Sequence, residues 1–586
     1  MSTFNYKGNS FYLDGEPFRI ISGAMHYWRI VPEYWEDRLK KLKACGFNTL
    51  ETYIAWNLHE KKEGEFDFSG PLDVVKYIEI AESLGLKVIV RPGPYICSEF
   101  DFGGLPSWLL SYPDITLRSS DERYLEKVRP YYKELISRIA PHQCTRGGGI
   151  IMVQIENEYG SYGDDKEYLK KVADLYREYG LDCTLFTSDG PLYSMLSGGT
   201  LDEYLCVANF GSRPDSAFDL LSDFRPDQPL MCGEFWCGWF DHWGEAHHVR
   251  GADDTVKDMK AMLDRGASFN FYMFHGGTNF GFTNGANHTG SEYQPTITSY
   301  DYCAPLSEAG DLTDTYFAVK NLLDEFNGYS SDIEVKNSEK AAYGKLTLTE
   351  SANLFDNLSI GRVTRSAAPL SMEEVGQDFG YILYSTTLKG PFESLPLEIA
   401  HVHDRAHVFV NGEYKGLRER TGRCDEIKLS LGKGESIALD ILCENCGRVN
   451  YGAKLFDKKG IFGGIRLGLR HHFGWTMTSL TMDDLSGVEF KKEITKKKTP
   501  VFLKGYLSIE GTPCDTFVRL DGFTKGFVSV NGFNIGRYWN EKGPQKTLYV
   551  PAPLLKEALI DFEDKLSLVS IVHSHGWPIG DAIDII

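Results

Sequence analysis

GGIIMVQIENE (residues 148–158) opens on glycines, runs through Ile150, Ile151, Met152 and Val153, and ends on carboxylates. So short an apolar run reads as a strand buried on both faces, as in a parallel sheet. Seven further stretches read the same way: FRIISGAM (18–25), NTLETYIAW (48–56), LKVIVRPG (86–93), CTLFTSD (183–189), YLCVANF (204–210), PLMCGEF (229–235) and FNFYMF (269–274). Helical patterns lie between them. PEYWEDRLKKLKACG (32–46) has Pro at its start and Gly as its stop, and DERYLEKVRPYYKELISRIA (121–140) is longer. Eight strands alternating with helices predict an α/β fold, a closed (β/α)8 TIM barrel over residues 1–330. An open doubly wound sheet is the alternative. Polar residues gathered at the C-terminal ends of many strands favour the barrel.

Beyond residue 330 the pattern turns all-β, with short alternating runs such as GYILYSTTL (380–388) and ESIALDILCEN (435–445). AHVFVNGEYKGL (406–417) and GFVSVNGFNIGRYW (526–539) resemble each other, each a strand, an Asn-Gly turn and a return strand. This repeat predicts two all-β sandwich (jelly-roll) domains, 380–490 and 491–586, with 331–379 as linker and strands joining a β-domain. The Lys-rich stretch 491–500 reads as the linker between them, and residues 340–370 can supply a strand to either.

The 586 residues carry 62 Lys+Arg against 82 Asp+Glu, a net charge of −20, which disfavours nucleic acid and anionic membrane as partners. No stretch of about 20 apolar residues is present, and no basic region followed by an apolar run opens the chain. The twelve cysteines are scattered, so reduced thiols and a cytoplasmic location are expected. Cys443 and Cys446 form a lone C-x-x-C pair without a second pair at zinc spacing, so no metal and no cofactor are expected. The oligomeric state is not legible.

Two carboxylates stand out by placement: Glu158 ends the fourth candidate strand and Glu234 the seventh. In a barrel such positions face the active-site mouth, and glycoside hydrolysis needs two carboxyl groups, one to protonate the departing oxygen and one to attack or to guide water. The alternative for any one strand-end Glu is a salt bridge or cap. Asn157 can hydrogen-bond a sugar hydroxyl. Glu156 reads either as a barrel-interior partner or as a site-wall residue. Arg29 and His59 read as residues that orient carboxylates. His471, His472 and Trp475 read as loop or substrate-entrance residues.

The segment GGIIMVQIENEYGSYG (148–163) resembles the signature of glycoside hydrolase family 35, the β-galactosidases. ETYIAWNLHE (51–60), RPGPYICSEFDFGGLPSWL (91–109), YMFHGGTNFGFTNGAN (272–287) and SYDYCAPLSEAGD (299–311) are similar to that family in order, and residues 526–551 resemble its C-terminal galactose-binding-like domain. The resemblance implies that Glu158 is the acid/base and Glu234 the nucleophile of a retaining exo-β-galactosidase. It further implies that Tyr53, Glu99, Asn157, Tyr272 and Tyr302 bind galactose, with the backbone of Cys97 and Ser98 close by and Trp239 packed on the sugar face. A β-galactoside oligosaccharide, with terminal β-1,3-linked galactose favoured, is the implied substrate. Retention places the carboxyl groups about 5–5.5 Å apart. Ser98, Phe100 and Cys303 depart from the commonest pattern and bear on the site rim. A sugar-binding protein without activity and another retaining glycosidase such as a β-glucosidase are the rival readings.

Overall fold

Eight parallel strands close into a barrel in chain order: β1 (Ile21–Met25), β2 (Thr49–Tyr53), β3 (Lys87–Arg91), β4 (Ile150–Gln154), β5 (Thr184–Asp189), β6 (Leu205–Phe210), β7 (Met231–Trp236) and β8 (Ser268–His275). The computed structural model describes residues 2–494, 499–555, 567–573 and 582–585. β1, β2, β4, β6 and β8 are buried at every position, as expected of strands with side chains on one face and helices on the other. Besides the single turn Trp56–His59, the helices among the described residues are α1 (Trp35–Ala44), α2 (Val74–Ser83), α3 (Glu122–Ile139), α4 (Lys166–Glu178), α5 (Tyr193–Gly199), α6 (Pro214–Phe224), α7 (Ala252–Asp264) and α8 (Asp314–Asn327). One follows each strand, as a (β/α)8 barrel requires.

Local chemistry sets the ends of these helices. α1 follows a turn begun by Pro32, carries Glu36 and Asp37 in its first turn and Lys41 and Lys43 in its last, and so complements the helix dipole at both ends. Gly46 takes φ 100° just beyond it, where a side chain would be strained. In α3 the Asp121 carboxylate accepts from the Arg123 N–H at 3.1 Å, and the helix runs on through Pro130.

Three further sheets follow. A six-stranded sheet (Arg362–Ser366, Trp475–Leu480, Tyr381–Lys389, Ser436–Glu444, Arg405–Val410, Glu413–Glu419) faces a four-stranded one that includes Phe392–His403 and Gly460–Leu467. Their shared core contains Ile382, Val408, Ile441, Ile465 and Trp475. An eight-stranded sheet combines Gly344–Asn353 with C-terminal strands, among them Val501–Leu507, Lys525–Val530 and Phe533–Trp539. The stretch 340–370 is therefore divided: 344–353 joins the C-terminal sheet and 362–366 the preceding one. Of the Lys-rich run 491–500, residues 495–498 lie outside the described residues.

The two similar hairpins share their turn and their irregularity. Asn411 and Gly412 have φ 50° and 77°, Asn531 and Gly532 have φ 51° and 86°, the paired positive values of a type I′ turn. Each hairpin also slips register two or three residues before the turn, at Val408/Phe409 and at Val528/Ser529.

Buried charges fasten the first all-β unit to the barrel. Arg448 bridges Asp101 at 3.0 Å and Glu373 at 2.7 Å, and its N–H donates to Asp101 at 2.6 Å. Lys459 pairs with Asp404 and Asp457, and Asp404 in turn accepts from Tyr293 of the barrel hairpin Ala286–Thr289/Glu292–Pro295 at 2.9 Å. Breaking such a pair leaves carboxylates uncompensated in low dielectric. Arg448→Met is expected to cost about 3–5 kcal/mol, read as a fall in the thermal midpoint of the first unfolding transition.

Candidate active site

A cavity of about 330 Å³ opens at the C-terminal end of the barrel strands, lined by Tyr53, Cys97, Ser98, Glu99, Asn157, Glu158, Glu234, Trp239, Tyr272 and Tyr302. These are the ten residues expected from the sequence to be catalytic or to bind galactose, drawn from β2, β7, β8 and the loops after β3, β4, β7 and β8. Ile96, Trp236, Phe240, Asn287, Thr289 and Tyr451 complete the wall.

Glu234 lies within β7 and is held by three donors. Arg91, the last residue of β3, donates from Nη1 to Glu234 Oε1 at 2.7 Å, Tyr53 donates from its hydroxyl to the same oxygen at 2.5 Å, and the Trp236 indole N–H donates to Oε2 at 3.1 Å. Arg91 also contacts Glu51 Oε1 at 2.9 Å and the Gly233 carbonyl, so its position is fixed from both sides. Burial pushes the Glu51 carboxyl up to about 7, with Arg91 opposing and the Glu234 charge adding. The Glu234 side chain thus accepts from a guanidinium, a phenol and an indole.

Glu158 sits in an opposite environment. β4 ends at Gln154, four residues short of the expected strand end, and Glu158 stands in the following loop with φ 45°. Its N–H donates to the Ser188 carbonyl at 3.1 Å, which keeps the loop against β5. Its carboxylate Oε1 accepts from Asn209 Nδ2 at 3.0 Å. Burial, followed by the nearby Glu234 charge, raises its pKa to about 8, against the lowering effect of Asn209. The group is therefore an acid at neutral pH while Glu234 is surrounded by donors. An amide donor favours the carboxylate form, so removing it must raise the pKa further. Asn209→Ala is accordingly expected to move the alkaline limb of the kcat/KM–pH profile to higher pH.

Left-handed backbone concentrates around the cavity. Cys97, Ser98 and Glu99 have φ 57°, 60° and 47° in succession, and Glu156 and Tyr302 have φ 58° and 63°. Such conformations cost on the order of 1–3 kcal/mol each and persist only where neighbours over-determine them. Arg29 does this for the 97–99 turn: it donates to the Ser98 carbonyl at 2.6 Å and to Ser98 Oγ at 3.1 Å, and stacks over Tyr300 at 3.9 Å. Tyr300 donates to Glu99 Oε2, and burial lifts the Glu99 carboxyl to about 7 against that bond and the Arg29 charge.

Several expectations need correction. Glu156 is neither a barrel-interior partner nor a wall residue; its left-handed backbone turns it behind the loop, where Arg118 holds both its oxygens at 2.9 and 2.8 Å. Arg118 also donates to the Asn157 carbonyl at 2.7 Å, so this pair braces the Asn157–Glu158 turn from outside the cavity. Arg29 orients a backbone carbonyl rather than a carboxylate. His59 bonds Tyr27 and the Asp67 carbonyl and stacks on Phe68, away from both carboxylates. Phe100 is fully buried against Trp28 and Arg29, so it is not a rim residue, and Cys303 is not part of the cavity lining. Trp475 is buried in the first all-β core, and neither it nor His471 or His472 reaches the cavity.

Sequence reasoning missed Arg91, Asn209, Trp236 and Tyr300, although each lies on a barrel strand or beside a residue it did identify. Tyr451 carried no such signal. It comes from the all-β unit, on a segment clamped to the barrel by Arg448 and by the bond from Tyr95 to the Asn450 carbonyl. Asn287 and Thr289 reach the cavity on the hairpin held by Tyr293 and Asp404.

Among the described residues, one group has the spacing to hold a metal ion, Asp241, Glu245 and His248, and it lies outside the cavity lining. Cys443 and Cys446 are free thiols. No helix among the described residues is long and apolar enough to cross a membrane.

Comparison with known proteins agrees with this geometry. Residues 10–326 match the family described as Glycosyl hydrolases family 35, residues 369–481 the first all-beta domain of beta-galactosidase, and residues 500–559 its galactose-binding domain. The chain is 42% identical over 557 residues to the beta-galactosidase of Xanthomonas manihotis, covering 94% of this chain and 91% of that protein. It is 42% identical to the Bos taurus beta-galactosidase, covering 94% and 88%, and 42% identical to the human beta-galactosidase-1-like protein 2, covering 96% and 89%.

Proposed function

The chain belongs to glycosyl hydrolases family 35 and is a glycoside hydrolase, and from that premise we propose that it is a retaining β-galactosidase removing terminal β-D-galactose from oligosaccharides. The observation that carries this reading is the pair of carboxyl groups in one cavity with opposite surroundings. Glu234 is ringed by Arg91, Tyr53 and Trp236, whereas Glu158 is raised to about 8 by burial and by the Glu234 charge.

In this reading Glu234 attacks the anomeric carbon while Glu158 gives its proton to the departing glycosidic oxygen. The bond to Glu234 consumes the carboxylate charge. One of the causes that raised the Glu158 pKa is thereby removed, so Glu158 remains ionised after giving up its proton and can take one from the incoming water. Water then displaces Glu234, and galactose leaves with its β-configuration retained. Asn157 Oδ1 accepts from the Gln154 amide at 3.3 Å, so its own amide N–H groups are the ones to offer a sugar hydroxyl. Tyr272, Tyr302, Glu99 and the Cys97–Ser98 turn supply further partners, and Trp239 an apolar face.

The test is hydrolysis of β-1,3-, β-1,4- and β-1,6-linked galactosyl-N-acetylglucosamine, with the first-formed anomer followed by NMR. Preferential release from the β-1,3 linkage as β-galactose supports the full reading. α-Galactose appearing first overturns retention, equal rates overturn the linkage preference, and no release overturns the activity. A panel of nitrophenyl glycosides separates galactosidase from glucosidase. All twelve cysteines are unpaired, which fits a reducing, cytoplasmic compartment; fractionation of the native host checks that placement.

A further inference from the structure

A second cavity of about 390 Å³ shares Trp239, Phe240 and Tyr302 with the catalytic one. Its opposite side is built by another domain: Phe517 and residues 544–547 of the C-terminal sheet. We propose that this cavity is a distal sugar subsite, which receives the residue beyond the leaving sugar of an oligosaccharide and lets the C-terminal domain select longer substrates. The proposal rests on the β-galactosidase reading.

Three observations lead there. The first is continuity. Trp239 is 41% exposed and lines both cavities, so a chain leaving the catalytic cavity over its indole meets the second one. The second is chemistry. Aromatic surface from Trp239 and Phe517 lies among groups that bond hydroxyls, namely Asp301, His247, Gln545 and Lys546. Asp241 is paired with His247 at 2.6 Å and Asp301 offsets the Lys546 ammonium, so the lining has no excess of cations, which disfavours phosphate or sulfate and suits a neutral polyol. The third is rigidity. The Ser299 N–H donates to Gln545 Oε1 and the Gly244 N–H to the Gly543 carbonyl, both at 2.9 Å, while Thr298 and Arg537 exchange bonds at 2.8 and 3.0 Å. The two domains are thus locked together along the cavity edge, and the space is preformed.

Lys546→Ala and Phe517→Ala test this, neither residue touching the catalytic cavity. Each is assayed against nitrophenyl β-galactoside, a β-galactosyl disaccharide and a tetrasaccharide ending in that disaccharide. The expected result is a loss in kcat/KM of roughly tenfold on the tetrasaccharide alone, carried by KM, the scale of one or two lost contacts. Unchanged nitrophenyl galactoside turnover shows that the variants are folded. Equal losses on all three substrates, no loss on any, or a wild type indifferent to chain length overturns the subsite while leaving the β-galactosidase reading intact. A wild type inactive on all three overturns that reading instead.

Discussion

Glu234→Gln is expected to lower kcat on nitrophenyl β-galactoside by roughly 10⁴-fold or more, the scale seen when a covalent nucleophile is removed. The amide has nearly the volume of the carboxylate and keeps an oxygen for Tyr53, so the cavity should retain its shape. Arg91 keeps its ion-pair contact with Glu51 at 2.9 Å, which leaves the guanidinium beside a second carboxyl group. What is lost is the negative charge that Arg91, Tyr53 and Trp236 concentrate on one carboxylate. The variant should still bind galactose by calorimetry within a few-fold of wild type. Turnover within tenfold of wild type would remove Glu234 from the nucleophile's role. A wild type that binds but never turns over would identify the chain as a sugar-binding protein.

The second large effect is that of Glu158→Gln, and it depends on the leaving group. A disaccharide departs as a poor leaving group and needs its oxygen protonated, a contribution of about 10²–10⁴-fold. A dinitrophenolate departs without help. The variant should therefore lose most activity on the disaccharide, and on the dinitrophenyl galactoside should slow at the hydrolysis of the glycosyl-enzyme. The pH profile gives an independent readout. Glu158 must be protonated to start, so wild-type kcat/KM should hold below about 8 and fall as pH rises through that value. The glutamine variant has no proton to lose there, and its alkaline limb should vanish. An unchanged limb would assign it to another group.

The pattern of strands and helices could be read from the sequence because most barrel strands are short, largely apolar runs separated by amphipathic stretches. The positions of Glu158 and Glu234 followed from the same reading, since strand ends of a barrel converge. The expected end of β4 was wrong by four residues: Ile155 and the residues after it look extended by composition, but Glu156 and Glu158 adopt positive φ. That conformation is imposed by Arg118 and by the Ser188 carbonyl, neither adjacent in sequence. The error over Glu156 has the same origin, because a reversed backbone sends the side chain away from the cavity.

What the sequence determined by itself is the barrel, the order of the all-β units and the placement of Glu158 and Glu234 near strand ends, because period, turn chemistry and strand-end position are local properties; most of the other cavity residues were implied by the resemblance to the family. Only the tertiary structure decided their chemical states. Arg91 meets Glu234 across 143 positions and Asn209 meets Glu158 across 51, while burial beside the Glu234 charge raises the Glu158 pKa to about 8 against that Asn209 bond. Tyr451 enters the wall from a different domain because Arg448, buried between Asp101 and Glu373, holds that domain in place. The physical reason is that burial and charge proximity are properties of the closed fold, and an electrostatic field acts through space rather than along the chain.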